Sequence, residues 1–135
     1  GVRGHGASEV AAELHSVVDV SWDAAMKVFL NRDIPKWIER VQEALPNTDK
    51  LSPDSMGALV SLAYNRGCSF ALQGERYAEM RSIKIDMTSG DLPDIPKQLR
   101  SMVRLWPNMR GLRERRVAEA ELFSKGLTKP LGVSK

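Results

Sequence analysis

A single cysteine, Cys68, stands in 135 residues, so no internal disulfide is available and the fold must rest on its apolar core. Aromatic residues are scarce, at 6%, which leaves most of that core to aliphatic side chains and methionine. No apolar run approaches the ~18 residues a membrane span requires; even Ala58 to Tyr64 is interrupted by Ser61. Membrane insertion is therefore not expected. The start Gly1-Val2-Arg3 lacks both a methionine and a basic-then-apolar leader, and reads as a processed or excised piece. There is no glycine-rich phosphate loop, no hairpin signal between alternating segments, no repeat and no low-complexity tract. His5 and His15 have no cysteine or acid at metal-ligand spacing, so neither a metal nor a cofactor is expected.

What is present is a helical pattern. Hydrophobic residues make up 42% and charged residues 27%, a balance that lets one domain bury roughly two thirds of its unfolded surface. The spacing predicts helices over Glu9–Leu14 and from Ser21 to Asn31. A further one carries Ile34, Trp37, Ile38, Val41 and Leu45 and ends at Pro46-Asn47. Ser52-Pro53-Asp54 then offers an N-cap, a proline at the first helical position and a dipole-favoured acid. Met56, Leu59, Val60 and Ala63 follow, and Gly67 is expected to close this most apolar helix in a left-handed conformation.

Tyr77, Met80, Ile83 and Met87 mark another helix that ends at Ser89-Gly90. Pro93 and Pro96 open one that runs to Trp106, and the last spans Leu112 to Phe123. Residues 126–135 read as a loose basic tail after a domain of residues 1–125. The fold class is all-α.

Three stretches carry a family resemblance. Ala58-Leu59-Val60-Ser61-Leu62-Ala63-Tyr64-Asn65-Arg66-Gly67, followed by Glu79-Met80-Arg81, is similar to the central buried helix and Glu-Met-Arg of phage-lysozyme-like and pesticin-like muramidases. Ser101 to Trp106 resembles their Met-x-x-Leu-Trp element. Gly111 to Ala120 resembles the Gly-Leu-x-x-Arg-Arg-x-x-Glu signature that opens their last helix. The resemblance implies the helical C-terminal lobe of a lysozyme-like fold, with a central buried helix surrounded by shorter ones. It also implies peptidoglycan hydrolysis at the bond between N-acetylmuramic acid and N-acetylglucosamine, at the bacterial cell wall or periplasm, by a route of delivery the residues do not reveal.

The same resemblance implies a catalytic glutamate on an N-terminal segment, and no Glu-Gly-Gly-like start or Thr-Ile-Gly-x-Gly strand precedes these helices. No catalytic residue is assigned, because Glu9, Glu13, Asp19, Asp23, Glu75 and Glu79 all read as solvated surface acids. The chain is expected to lack the acid-bearing segment and to be inactive alone, with glycan strands and that segment, as a second chain, for partners.

By position in the family, Asn65, Arg66 and Trp106 are substrate-binding candidates, against plain readings as turn, cap and core residues. Arg115 and Arg116 are candidates to pair with the catalytic acid, against a solvated basic face pairing with Glu114 or Glu119. Tyr64, Trp22 and Trp37 are assigned to the core, and Cys68 to a buried structural thiol. One competing function is a non-catalytic helical module binding peptidoglycan or a protein. Another is nucleic-acid binding through Arg110, Arg113, Arg115, Arg116, Lys125 and Lys129. The net charge of +3 favours anionic partners, but the interspersed Glu114, Glu119 and Glu121 count against phosphate, and nucleic acid is not expected.

Overall fold

Pro53–Arg66 forms the axis of the molecule because nearly every position along it is closed to solvent: all ten residues from Asp54 to Ala63 are buried. The computed structural model describes residues 33–127. Expectations for helices at Glu9–Leu14 and Ser21–Asn31, for His5, His15 and Trp22, and for most of the basic tail fall outside the described residues. Among those residues the chain forms five α-helices and no strand: α1 (Ile34–Ala44), α2 (Pro53–Arg66), α3 (Ala78–Ser89), α4 (Asp94–Ser101) and α5 (Arg110–Leu127). Tight 3-10 turns at Thr48–Lys50, Glu75–Tyr77 and Met102–Leu105 join them. This is the all-α arrangement expected, a central helix ringed by others.

Local chemistry sets the ends of α2. The Ser52 hydroxyl accepts a 3.3 Å hydrogen bond from the Ser55 amide, Pro53 occupies the first turn, and Asp54 adds an acid where the helix dipole favours one. At the other end the Gly67 amide donates to the Ala63 carbonyl at 2.6 Å. Gly67 has the positive φ expected (77°), but its ψ of 173° is extended, not left-handed helical. Such a combination is essentially restricted to glycine, and it throws the chain away from the helix axis. Gly90 caps α3 with φ 90° and ψ 9°, a left-handed cap where the sequence called for one.

Packing follows the apolar stripes. Ile34, Ile38 and Val41 of α1 face α2, and α5 lays its buried side, including Ala120, Leu122 and Phe123, along α2 as its main partner. The Ser55 hydroxyl donates to the Phe123 carbonyl at 2.8 Å and ties the two helices directly. Gly126 makes this closeness possible, since a Cβ there would collide with the hydroxyls of Ser52 and Ser55. The last helix therefore runs past Phe123 and includes Gly126 and Leu127, which the sequence reading placed in the tail. Tertiary contact with α2 extends a helix that the apolar periodicity alone would have ended sooner.

The segment expected to be one helix from Pro93 to Trp106 is also different. It is an eight-residue α4 followed by the 3-10 turn Met102–Leu105. Ser101 and Arg104, on either side of the change in winding, both bond Glu79 of α3. That tie sets where Trp106 emerges.

Candidate functional site

The C-terminal end of α2, the turn Glu75–Tyr77, Trp106 and the first turns of α5 converge on a polar cavity of about 240 Å³ lined by Asn65, Arg66, Arg76, Tyr77, Trp106 and Leu112. All three candidates Asn65, Arg66 and Trp106 meet here. Each is half-buried, a position from which a side chain is both held and reachable.

Asn65 is oriented from below. Its Oδ1 accepts a 2.7 Å hydrogen bond from Nη1 of Arg116, so its amide nitrogen, a donor, is the group it can offer to another acceptor. Arg66 is held by stacking and by one bond: its guanidinium lies 5.1 Å from the Tyr77 ring and 5.3 Å from the Trp106 ring, and Nη2 donates to the Arg76 carbonyl at 2.7 Å. Its Nε is shielded from solvent and makes no hydrogen bond among the described residues. Burial, with Arg76 and Arg116 nearby, holds the Arg66 guanidinium below its usual value, though an arginine remains charged at neutral pH. Trp106 meets a second guanidinium, that of Arg116, at 5.6 Å.

Beneath the cavity floor lies a closed ionic network. Arg116 is fully buried, the largest side chain among the described residues to be so. Its Nε lies 2.6 Å from Oε1 of Glu119 and its Nη2 donates to Oε2 at 2.7 Å, while the Ser61 hydroxyl of α2 also donates to Oε2. Burial pushes the Glu119 carboxyl up, against the pull of Arg116, Ser61 and Arg115. The pairing of Arg116 with Glu119 was one of the alternatives open in the sequence, but as a solvated face; the pair is sealed inside the molecule. Arg115 is buried too and strengthens the positive field on Glu119.

A second buried acid corrects the sequence reading. Glu79, expected at the surface, is only 5% exposed. Its Oε2 accepts from Ser101 at 2.7 Å and from Nε of Arg104 at 2.8 Å, and Oε1 accepts from Nη2 of Arg104 at 2.9 Å. Burial alone would raise the Glu79 carboxyl, but the bonds from Arg104 and Ser101 outweigh it and hold the group below its usual value. Glu75 does stay at the surface, 3.1 Å from Arg104.

Other assignments shift modestly. Trp37 and Tyr64 touch edge to face at 5.7 Å, both half-buried at the rim of the core. Cys68 is half-buried, not fully enclosed, in a shallow cavity with Trp37, Arg40 and Glu43. Burial pushes its thiol up, the opposite of an activated nucleophile. Arg76, Tyr77 and Leu112 also line the cavity that Asn65, Arg66 and Trp106 share, and none of them carries a site signal in the sequence. By its spacing Tyr77 is an apolar helix position, and the 3-10 turn that instead aims it at Arg66 is a tertiary outcome.

Chemically, the cavity offers cationic donors, an amide and an indole face, a set suited to a sugar bearing a carboxylate. Among the described residues it is lined by no carboxylate, and Glu119 reaches it only through Arg116. The profile of the phage lysozyme family matches residues 2–119. The chain belongs to the phage lysozyme family. That family is one of peptidoglycan hydrolases, lysozyme-type glycosidases acting on the cell wall. Comparison with curated proteins and with solved structures found no match. The family assignment agrees with the helical lobe, and no described helix is long and apolar enough to cross a membrane.

Proposed function

We propose that this chain forms the substrate-binding helical lobe of a muramidase that cleaves between N-acetylmuramic acid and N-acetylglucosamine, with the general acid supplied by a joined or partner segment and by none of this chain's own carboxylates. One observation carries the reading: the cavity gathers Asn65, Arg66, Arg76 and Trp106 with no described carboxylate among its lining residues. Asn65 donates through its amide to an acetamido or hydroxyl oxygen. Arg66 receives a carboxylate of the peptide stem, and Trp106 packs its indole on a pyranose ring.

Bond cleavage needs a protonated carboxyl at the glycosidic oxygen and a second carboxylate beyond the sugar. Glu79 and Glu119 are both occupied by arginine and serine, so neither fits. Arg116, whose own charge is met by Glu119, acts through Nη1 by fixing Asn65, while Arg66 and Arg76 bring positive charge to the cavity lining, where an incoming acid would be drawn. Nucleic-acid binding through α5 is disfavoured, because Arg110 pairs with Glu114 at 2.7 Å and Arg116 is buried.

Clearing of purified cell walls tests the proposal. The chain alone should leave turbidity unchanged and should clear walls when joined to an acid-bearing segment of its parent. Clearing by the chain alone, lost when Glu9, Glu13, Asp19 or Asp23 is changed to its amide, would place the acid inside the chain instead. Wall binding without clearing in either form would favour a non-catalytic peptidoglycan-binding module.

A further inference from the structure

Two arginines line the cavity, and nothing else in its lining answers their charge. Arg66 and Arg76 share it with Asn65, Tyr77, Trp106 and Leu112, none of which carries a carboxylate. Nη2 of Arg66 donates to the backbone carbonyl of Arg76 at 2.7 Å, a bond that holds the two residues together without neutralising either guanidinium. Nε of Arg66 is closed to solvent and has no hydrogen-bond partner among the described residues. Burial first, and then the charge of Arg76, hold the Arg66 guanidinium below its usual value.

The acids nearby are engaged elsewhere. Glu75, next to Arg76 in the chain, lies 3.1 Å from Arg104, and Glu79 accepts from Arg104 and Ser101. An anion that enters the cavity therefore meets two cations with no competing carboxylate. Stem peptides differ in what they bring to such a place. At the third position one type carries lysine, whose side chain ends in a lone ammonium. The other carries a diamino dicarboxylic acid, whose side chain ends in an ammonium and a carboxylate on the same carbon. A lone ammonium beside Arg66 and Arg76 is repelled by both, whereas the added carboxylate cancels that charge and accepts from a guanidinium.

We propose that Arg66 and Arg76 make the cavity selective for stems whose third residue is a diamino dicarboxylic acid, over stems of the lysine type; the inference rests on the reading of this cavity as the stem-binding site. The two arginines divide the task. Arg66, held between the rings of Tyr77 and Trp106 at 5.1 and 5.3 Å, presents a fixed guanidinium to a carboxylate close to the sugar. Arg76 is exposed on the turn Glu75–Tyr77 at the cavity edge, where it meets the carboxylate at the end of the longer third side chain. Arg76 is thus a specificity-determining residue, and its effect is one of charge.

Calorimetric titration of the full chain with two purified disaccharide-tripeptides, one ending in the diamino dicarboxylic acid and one in lysine, tests the selection. The Trp106 indole resonance reports whether each ligand enters the cavity. At low ionic strength the first should bind roughly fivefold tighter, the scale of one partly exposed ion pair. Arg76→Gln keeps the backbone carbonyl that Arg66 bonds and should erase the difference, while Arg76→Lys, which keeps the charge, should retain it. Amidation of the side-chain carboxylate should reduce the tighter ligand to the affinity of the lysine type. Equal binding of the two tripeptides, both shifting Trp106, overturns the selection and leaves the reading of the cavity standing. A preference that persists in Arg76→Gln overturns the assignment to Arg76. Binding of neither ligand, or binding that leaves Trp106 unmoved, overturns the reading of the cavity and the selection with it.

Discussion

Arg116 and Glu119, one turn apart on α5, face each other at 2.6 Å with both side chains sealed from solvent. From this pair the network reaches Ser61 on α2 through Glu119 and Asn65 at the cavity through Arg116. The pair thus fastens the last helix to the central one and sets the angle of a cavity-lining amide. A buried ion pair of this kind stabilises little relative to an apolar replacement, but losing one member leaves an uncompensated charge inside.

Glu119→Ala should therefore destabilise the fold by about 3–5 kcal/mol, and Arg116→Met by a similar amount. The double change Arg116→Met with Glu119→Leu should cost far less than the sum. Urea unfolding of the three variants measures it. Additive losses would mean that the two groups do not depend on each other.

Two glycines are predicted to be intolerant for different reasons. Gly67→Val should lower stability by roughly 1 kcal/mol or more, because φ of 77° with extended ψ is strained for any residue with a Cβ. Gly126→Ala is predicted to cost roughly 1–3 kcal/mol through overpacking, since α5 must lift from Ser52 and Ser55 to admit the methyl. Melting midpoints check both; an unchanged midpoint in Gly126→Ala would show that the helices are not in contact there.

Acid should weaken the fold partly through Glu79. Its carboxyl sits below the usual value in the folded protein, so its contribution is fully present above the unfolded glutamate value of about 4.3 and is lost as pH falls through the folded value. In Arg104→Ala that bonding is reduced, and the fall in stability over this acidic range should become shallower. Unfolding curves at a series of pH values test it, and a parent-like slope in Arg104→Ala would remove Glu79 from the explanation.

Legibility in the sequence followed locality. Ser52-Pro53-Asp54 and Gly90 marked helix ends because caps depend on residues within one turn, and α2 was readable as central because it is apolar on every side. The burial of Glu79 was not legible, since its partners Ser101 and Arg104 lie 22 and 25 residues away and only the fold brings them together. Glu119 stood at helical spacing from Arg116, so the pair was visible, but its enclosure depends on α2 and Ser61. Asn65, Arg66 and Trp106 were named by position in the family, and the structure gathers them in one cavity. Arg76 and Tyr77 arrive there on a 3-10 turn with no strong local signal.

The most direct measurement is the indole N–H resonance of Trp106 during titration of the isotopically labelled chain with a disaccharide-peptide fragment of peptidoglycan. Trp106 should shift progressively and saturate, with Trp37, which lines a separate cavity with Arg40 and Cys68, moving much less, and Arg66→Ala should weaken the response. A larger shift at Trp37, or no shift at Trp106 at concentrations where the fragment binds the chain, would contradict the placement of the substrate in this cavity.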